Sequence, residues 1–140
     1  MKNRLVTTMI VLLTAILLVG AIAVVVLLKM NDDKNAEPSI DEVVEASVDV
    51  PELTTNLASS DYVKISFKIQ TDSKKAQKEL TKRDFQVRSY IIEELSEKTA
   101  DDLKGKAGKR KLEDDLKAKI NEVMQDGKVV KVYITSYIIS

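Results

Sequence analysis

Between Leu5 and Leu28 the chain carries no charged residue, and Lys2 and Arg4 precede that run while Lys29 follows it. At about 1.5 Å of helical rise per residue, such a stretch reaches roughly 36 Å. The hydrocarbon core of a bilayer is only about 30 Å thick. A protein of 140 residues has no interior that can bury a helix apolar on every face. The run is therefore expected to cross a membrane as a single-pass transmembrane helix, with the remaining residues as what it presents.

A cleaved export signal is the competing reading. Such signals have an apolar stretch of about 7–15 residues ending in a small-x-small site. Ala21-Ile22-Ala23 is such a triplet, but Val24 to Leu28 continue the apolar run beyond it, which favours a retained anchor. Lys2, Arg4 and the α-amino group crowd the short leading side, whereas Asp32 and Asp33 dilute Lys29 and Lys34 on the other. Basic flanks tend to stay inside, so residues 1–4 are expected in the cytoplasm and the chain after the anchor outside it. The absence of cysteine fits such a compartment.

A formal charge of zero hides a separation. From Met30 to Tyr62 nine acidic residues face Lys34 alone, a net of −8, whereas Val63 to Ser140 carries a net of +5. Both prolines, Pro38 and Pro51, fall in the acidic part. This composition break divides the chain into residues 1–4, an anchor at 5–28, an acidic juxtamembrane linker at 29–52 and a folded domain at 53–140. Within the linker, Ile40–Ala46 is the one stretch suited to a short helix.

Val63, Ile65, Phe67 and Ile69 alternate with Lys64, Ser66, Lys68 and Gln70, the two-residue period of a half-buried strand. Val130, Val132 and Ile134 alternate likewise within Lys128–Ile139, and Thr54–Leu57 is a candidate short third strand. Between the long strands the period becomes helical. Ala76 and Leu80 mark a helix over Ser73–Lys82; Val87, Ile91 and Leu95, with Phe85 and Ile92 beside them, mark one over Asp84–Glu97. Leu112, Leu116, Ile120 and Val123 mark a third over Lys109–Met124, whose other side offers opposite charges four apart, such as Arg110–Asp114 and Lys111–Asp115. Thr99-x-x-Asp102 resembles a capping box with Asp in place of Glu or Gln, and Gln125-Asp126-Gly127 has turn chemistry. The expected fold class is α+β, with one small core in a domain of roughly 85 residues.

Histidine, cysteine and tryptophan are absent altogether. That removes the commonest acid–base group, thiol nucleophiles and the usual zinc ligands. Gly105-Lys106-Ala107-Gly108-Lys109 superficially suggests a phosphate loop, but that motif needs glycine where Leu103 stands and Ser or Thr where Arg110 stands. No enzyme, catalytic residue, cofactor or metal site is expected. Lys104, Lys106, Lys109, Arg110 and Lys111 form the sharpest surface feature and the candidate partner contact. Positive charge is unfavourable at a helix N-terminus, although the same residues also read as a loop and first turn neutralised by acids downstream. Nucleic acid is not an expected partner for a domain outside the membrane.

The order of these elements resembles the flagellar basal-body-associated FliL family. The resemblance rests on Asn56-Leu57, on Tyr62 to Phe67, on Leu95-Ser96-Glu97-Lys98-Thr99-Ala100-Asp101-Asp102-Leu103, on Gly108-Lys109, on Leu112, on Ile120-Asn121 and on Gly127 to Ile139. Ile134, Tyr137 and Ser140 depart from it, standing where the family tends to have phenylalanines and a final glutamine. The resemblance implies a non-enzymatic cell-membrane component of the bacterial flagellum basal body with a stomatin-like (SPFH) extracytoplasmic domain. It also implies assembly into a homo-oligomeric ring, association with the flagellar stator, and support of rotation, swarming and chemotactic motility. Two other readings use the residues alone: an anchored sensor or wall-binding module unrelated to flagella, and a secreted protein with its mature N-terminus near Val24.

Overall fold

The computed structural model describes residues 2–35 and 37–140, with the side chains of residues 32–36 outside that description; Asp32, Asp33 and Lys34 of the acidic segment fall there. The described elements, in chain order, are α1 (Lys2–Asn35), α2 (Ile40–Glu45), β1 (Ser47–Asn56), β2 (Tyr62–Thr71), α3 (Lys74–Lys82), α4 (Asp84–Ser96), a single 3-10 turn (Asp101–Leu103), α5 (Gly105–Asn121) and β3 (Val129–Ile139). Residues 39–140 form one compact unit, and α1 belongs to a separate one.

Helix α1 is long and apolar enough to cross a membrane. Its threonines do not interrupt it, because each hydroxyl turns back on the helix. Thr7 donates to the Asn3 carbonyl at 2.6 Å, Thr8 to Arg4 at 2.7 Å and Thr14 to Ile10 at 3.0 Å. A hydroxyl satisfied this way presents only its methyl to the surroundings.

The alternating strand is the centre of the sheet. β2 pairs antiparallel with β1 on one side and β3 on the other. Val63, Ile65, Phe67 and Ile69 are buried on one face, together with Leu80 of α3, Val87, Ile91 and Leu95 of α4, and Leu112, Leu116 and Ile120 of α5. The spacings of four along each helix place these side chains in one stripe. Ile134, expected in the same core, packs against it partly buried. The opposite sheet face, with Tyr62, Lys64 and Lys68, is left to solvent, and Lys68 pairs there with Asp49 at 3.3 Å.

Three expectations are corrected. First, the folded unit begins at Ser39 rather than near Leu53, so the segment assigned to a 29–52 linker contains α2 and most of β1. Pro51 argued against a strand there, yet β1 is an edge strand and the register slips between Val50 and Leu53. A bulge on an edge is where proline, lacking an N–H, does no harm to the ladder. Second, Phe85 and Ile92 do not join the core; they are 70 % and 46 % exposed, because the stripe through Val87, Ile91 and Leu95 already fills the space over the sheet. Third, α5 begins at Gly105, one turn before the expected Lys109.

Buried polar groups are few and paired. Thr71 at the end of β2 has one hydroxyl proton, which it donates to the Ala46 carbonyl at 2.6 Å with the Ser73 carbonyl as the alternative acceptor at 2.9 Å, holding the joint between α2 and β1. Asn121 closes the turn after α5: its amide oxygen accepts from the Val129 N–H at 2.8 Å and its amide nitrogen donates to the Val129 carbonyl at 2.9 Å. In that turn the Gln125 and Asp126 N–H groups donate to the Glu79 carboxylate at 2.9 and 2.6 Å, while Arg83 approaches it at 2.8 Å. Burial presses the Glu79 pKa upward, but these donors outweigh it and hold it below the ordinary glutamate value.

Two outcomes follow for stability. Phe67→Ala empties a site in the middle of the core and is expected to cost about 3–5 kcal/mol. Lys68→Ala, on the open face, should cost no more than about 1 kcal/mol. Thermal melting of the full chain in mild detergent compares them, and equal melting temperatures would reverse the sheet faces. For Glu79, a folded-state pKa below the unfolded one means a contribution fully present above the ordinary glutamate range and lost as pH falls through the lowered value. Glu79→Gln should be less stable than wild type by about 1–2 kcal/mol at neutral pH, and the gap should close in acid. A gap independent of pH would show that the charge contributes nothing.

Candidate partner-contact surface

Five basic side chains from Lys104 to Lys111 meet the fold where the 3-10 turn passes into α5. Thr99 and Asp102 fix the entry. The Thr99 N–H donates to the Asp102 carboxylate at 2.8 Å, and the Asp102 N–H donates to the Thr99 hydroxyl at 3.2 Å. These are the reciprocal bonds of a capping box, here heading a 3-10 turn and made with the shorter acid. The Thr99 backbone and side-chain bonds hold the Asp102 pKa below its ordinary value.

Leu103 then buries its side chain, and Gly105, at φ 67°, turns the chain into α5. One turn on, Gly108 lies so close to the 3-10 turn that a Cβ would stand 2.1 Å from the Asp102 carbonyl oxygen. The same knot reaches the β1–β2 hairpin: the Ala58 N–H donates to the Lys98 carbonyl at 2.8 Å and the Ala100 N–H to the Ser59 hydroxyl at 3.1 Å.

The five cations are not in one state. Lys104 pairs with Asp101 at 2.7 Å, and Lys111 pairs with Asp115 at 3.0 Å. Asp115 also takes Lys98 at 3.3 Å, a lysine side chain only 13 % exposed. Burial raises the Asp115 pKa, but the hydrogen bonds from Lys111 and Lys98 bring it below its ordinary value. Lys109 folds inward, donating to the Leu103 carbonyl at 3.2 Å, and its ammonium lies 4.3 Å from the centre of the Tyr137 ring, within cation–π range. Lys106 and Arg110 are exposed and have no ion-pair partner among the described residues.

Those two point along a groove of about 370 Å³ between α5 and β3, lined also by Lys109, Glu113, Ile134, Thr135, Ser136 and Tyr137. Glu113 closes one end by accepting the Ile134 N–H at 3.0 Å. Of the charge pairs expected four residues apart, Lys111–Asp115 forms and Arg110–Asp114 does not, and neither Glu113 nor Lys119 takes a partner one turn away on α5. Instead Glu113 serves β3, while Lys119 crosses to Glu93 and Glu94 of α4. The β3 half of the groove was not legible, because nothing in a two-residue period says which helix lies alongside a strand edge. Among the described residues no three acidic side chains gather where they could hold a metal ion.

The fold defines a class: a small α+β domain with a three-stranded sheet that follows a helix long and apolar enough to cross a membrane. The chain belongs to the FliL family, since the model described as "Flagellar basal body-associated protein FliL" matches residues 47–139. The curated relatives include a "Flagellar protein FliL" of Bacillus subtilis (strain 168), 48% identical over 118 residues that cover 84% of each chain. Another is a "Flagellar protein FliL" of Aquifex aeolicus (strain VF5), 28% identical over 92 residues, covering 64% of this chain and 57% of that one. The family is one of structural and accessory proteins of the flagellum rather than of enzymes.

Gly108 gives a test in which the ordinary sign reverses. Glycine to alanine inside a helix usually stabilises by about 0.5–1 kcal/mol. Here the added methyl collides with backbone, so Gly108→Ala should destabilise by about 1–3 kcal/mol. Thermal melting of Gly108→Ala beside the wild-type chain reads the sign directly.

Proposed function

We propose that the protein is a single-pass, non-enzymatic component of the flagellar basal body that supports the stator and, through it, rotation and chemotactic motility. Family membership over residues 47–139 of the folded unit carries this reading, supported by the uncharged run of α1. The basic leading flank supports an N-terminus in the cytoplasm and residues 39–140 outside it. The small α+β unit is compatible with a stomatin-like (SPFH) domain. We infer assembly of several copies into a ring around a stator unit, a closed arrangement that uses one heterologous interface repeated. Lys106 and Arg110 are the candidate contacts on this surface, because no ion pair among the described residues takes up their charge.

Deletion of the gene should slow swimming and abolish swarming, most strongly under viscous load, and the chain should remain in carbonate-washed membranes. Protease added to spheroplasts should remove residues 39–140 from intact cells. Lys106→Glu with Arg110→Glu should lower swimming speed at unchanged membrane level. Normal motility in the deletion strain would overturn the flagellar reading, and a protected domain would overturn the orientation.

A further inference from the structure

A three-stranded sheet has two edges, and this one guards them unequally. On β1 the bulge at Pro51 and the charges of Asp49 and Glu52 spoil the edge as a template. On β3 the first half is closed by side chains: Asn121 takes both backbone groups of Val129, and Glu113 takes the Ile134 N–H. Beyond the register slip at Thr135 the guarding stops. Tyr62 and Ser140 exchange both backbone hydrogen bonds at 2.9 Å. In an antiparallel ladder such pairs alternate with pairs whose N–H and C=O groups face away. The backbone groups of Ile139 and Tyr137 therefore point to the open edge, and none of them has a hydrogen-bond partner among the described residues. Tyr137 lines the groove into which Lys106 and Arg110 reach.

We propose that this groove captures an extended acidic segment of another protein, which adds as a fourth strand beside Tyr137–Ile139 while its carboxylates meet Lys106 and Arg110. Strand addition takes its affinity from main-chain hydrogen bonds and its specificity from side chains at alternate positions. An unguarded edge and two unpaired cations in one groove supply both. The carboxylate of Glu113 repels acid at the Ile134 end, so it sets the limit of the site and confines the acidic residues to the Tyr137 end. The acidic stretch of a second copy is a poorer occupant: Ile40–Glu45 is already helical, and Ser47–Asn56 already pairs with β2. The inference does not depend on which membrane complex the protein serves.

The test uses the full chain in detergent and a fluorescent synthetic peptide alternating glutamate with valine, read by anisotropy. Binding should weaken at least about tenfold with Lys106→Glu plus Arg110→Glu at unchanged melting temperature, and a lysine–valine peptide should not bind. Two further peptides carry N-methyl groups on one or the other set of alternate amides, which removes the donors of one peptide edge only. One set should abolish binding and the other leave it intact. Equal binding of both methylated peptides, or indifference to the double charge reversal, would overturn strand addition at this edge. So would a failure of the peptide to bind a chain that sedimentation shows to be an oligomer dissociated by the same reversal, since the occupant would then be a second copy.

Discussion

The candidate surface depends on the reciprocal bonds between Thr99 and Asp102 and on the backbone they hold in place. They head the 3-10 turn, the turn presents the carbonyl against which Gly108 packs, and that close approach sets α5 beside β3. The same segment holds the hairpin between β1 and β2 through Ala58 and Ala100. Each bond is individually modest, worth about 1 kcal/mol net. Their importance is geometric, because three elements that are distant in sequence share one short piece of backbone. The stretch Leu95 to Leu103, one of those that carry the family resemblance, is thus explained by packing and hydrogen bonding: Leu95 and Leu103 are core, Lys98 serves Asp115, and Thr99 and Asp102 make the cap.

Periodicity revealed what one element can announce about itself. The alternation through Val63–Ile69 and the four-residue spacing through Leu112–Ile120 gave the central strand and the buried helix face, because a buried face imprints its own period on the chain. Contacts between elements left no such imprint. Pro51 obscured half of β1, since a single proline looks the same in a linker as in an edge bulge. Phe85 looked like core by type and is solvent-facing by angle. Of the five cations, the sequence showed the cluster and not its internal division, for Lys109 owes its inward turn to Tyr137, a residue on another element.

Electrostatics divides the same way. Most charges on α4 and α5 are consumed inside the unit, some along one helix, as Arg88 with Asp84 and Lys111 with Asp115, and some across helices, as Lys119 with Glu93 and Glu94. Exposed pairs of this kind add little stability, but they leave few charges free to meet another molecule. A surface read by counting lysines would place a partner anywhere along Lys104–Lys111. A surface read by asking which lysines already have partners narrows it to one groove.

The pairing of β2 with β3 joins segments lying roughly 60 to 75 residues apart. The hairpin of β1 and β2 closes locally and can form early, yet it then waits with the second edge of its central strand bare until the last described element arrives. Between synthesis of Thr71 and of Val129 the most buried strand of the unit is therefore half-paired. A chain that stops between Thr71 and Val129 carries the hairpin with a bare edge rather than a smaller version of the same fold. For such a chain, quality control acts on completion of the polypeptide more than on the strength of any one contact within it.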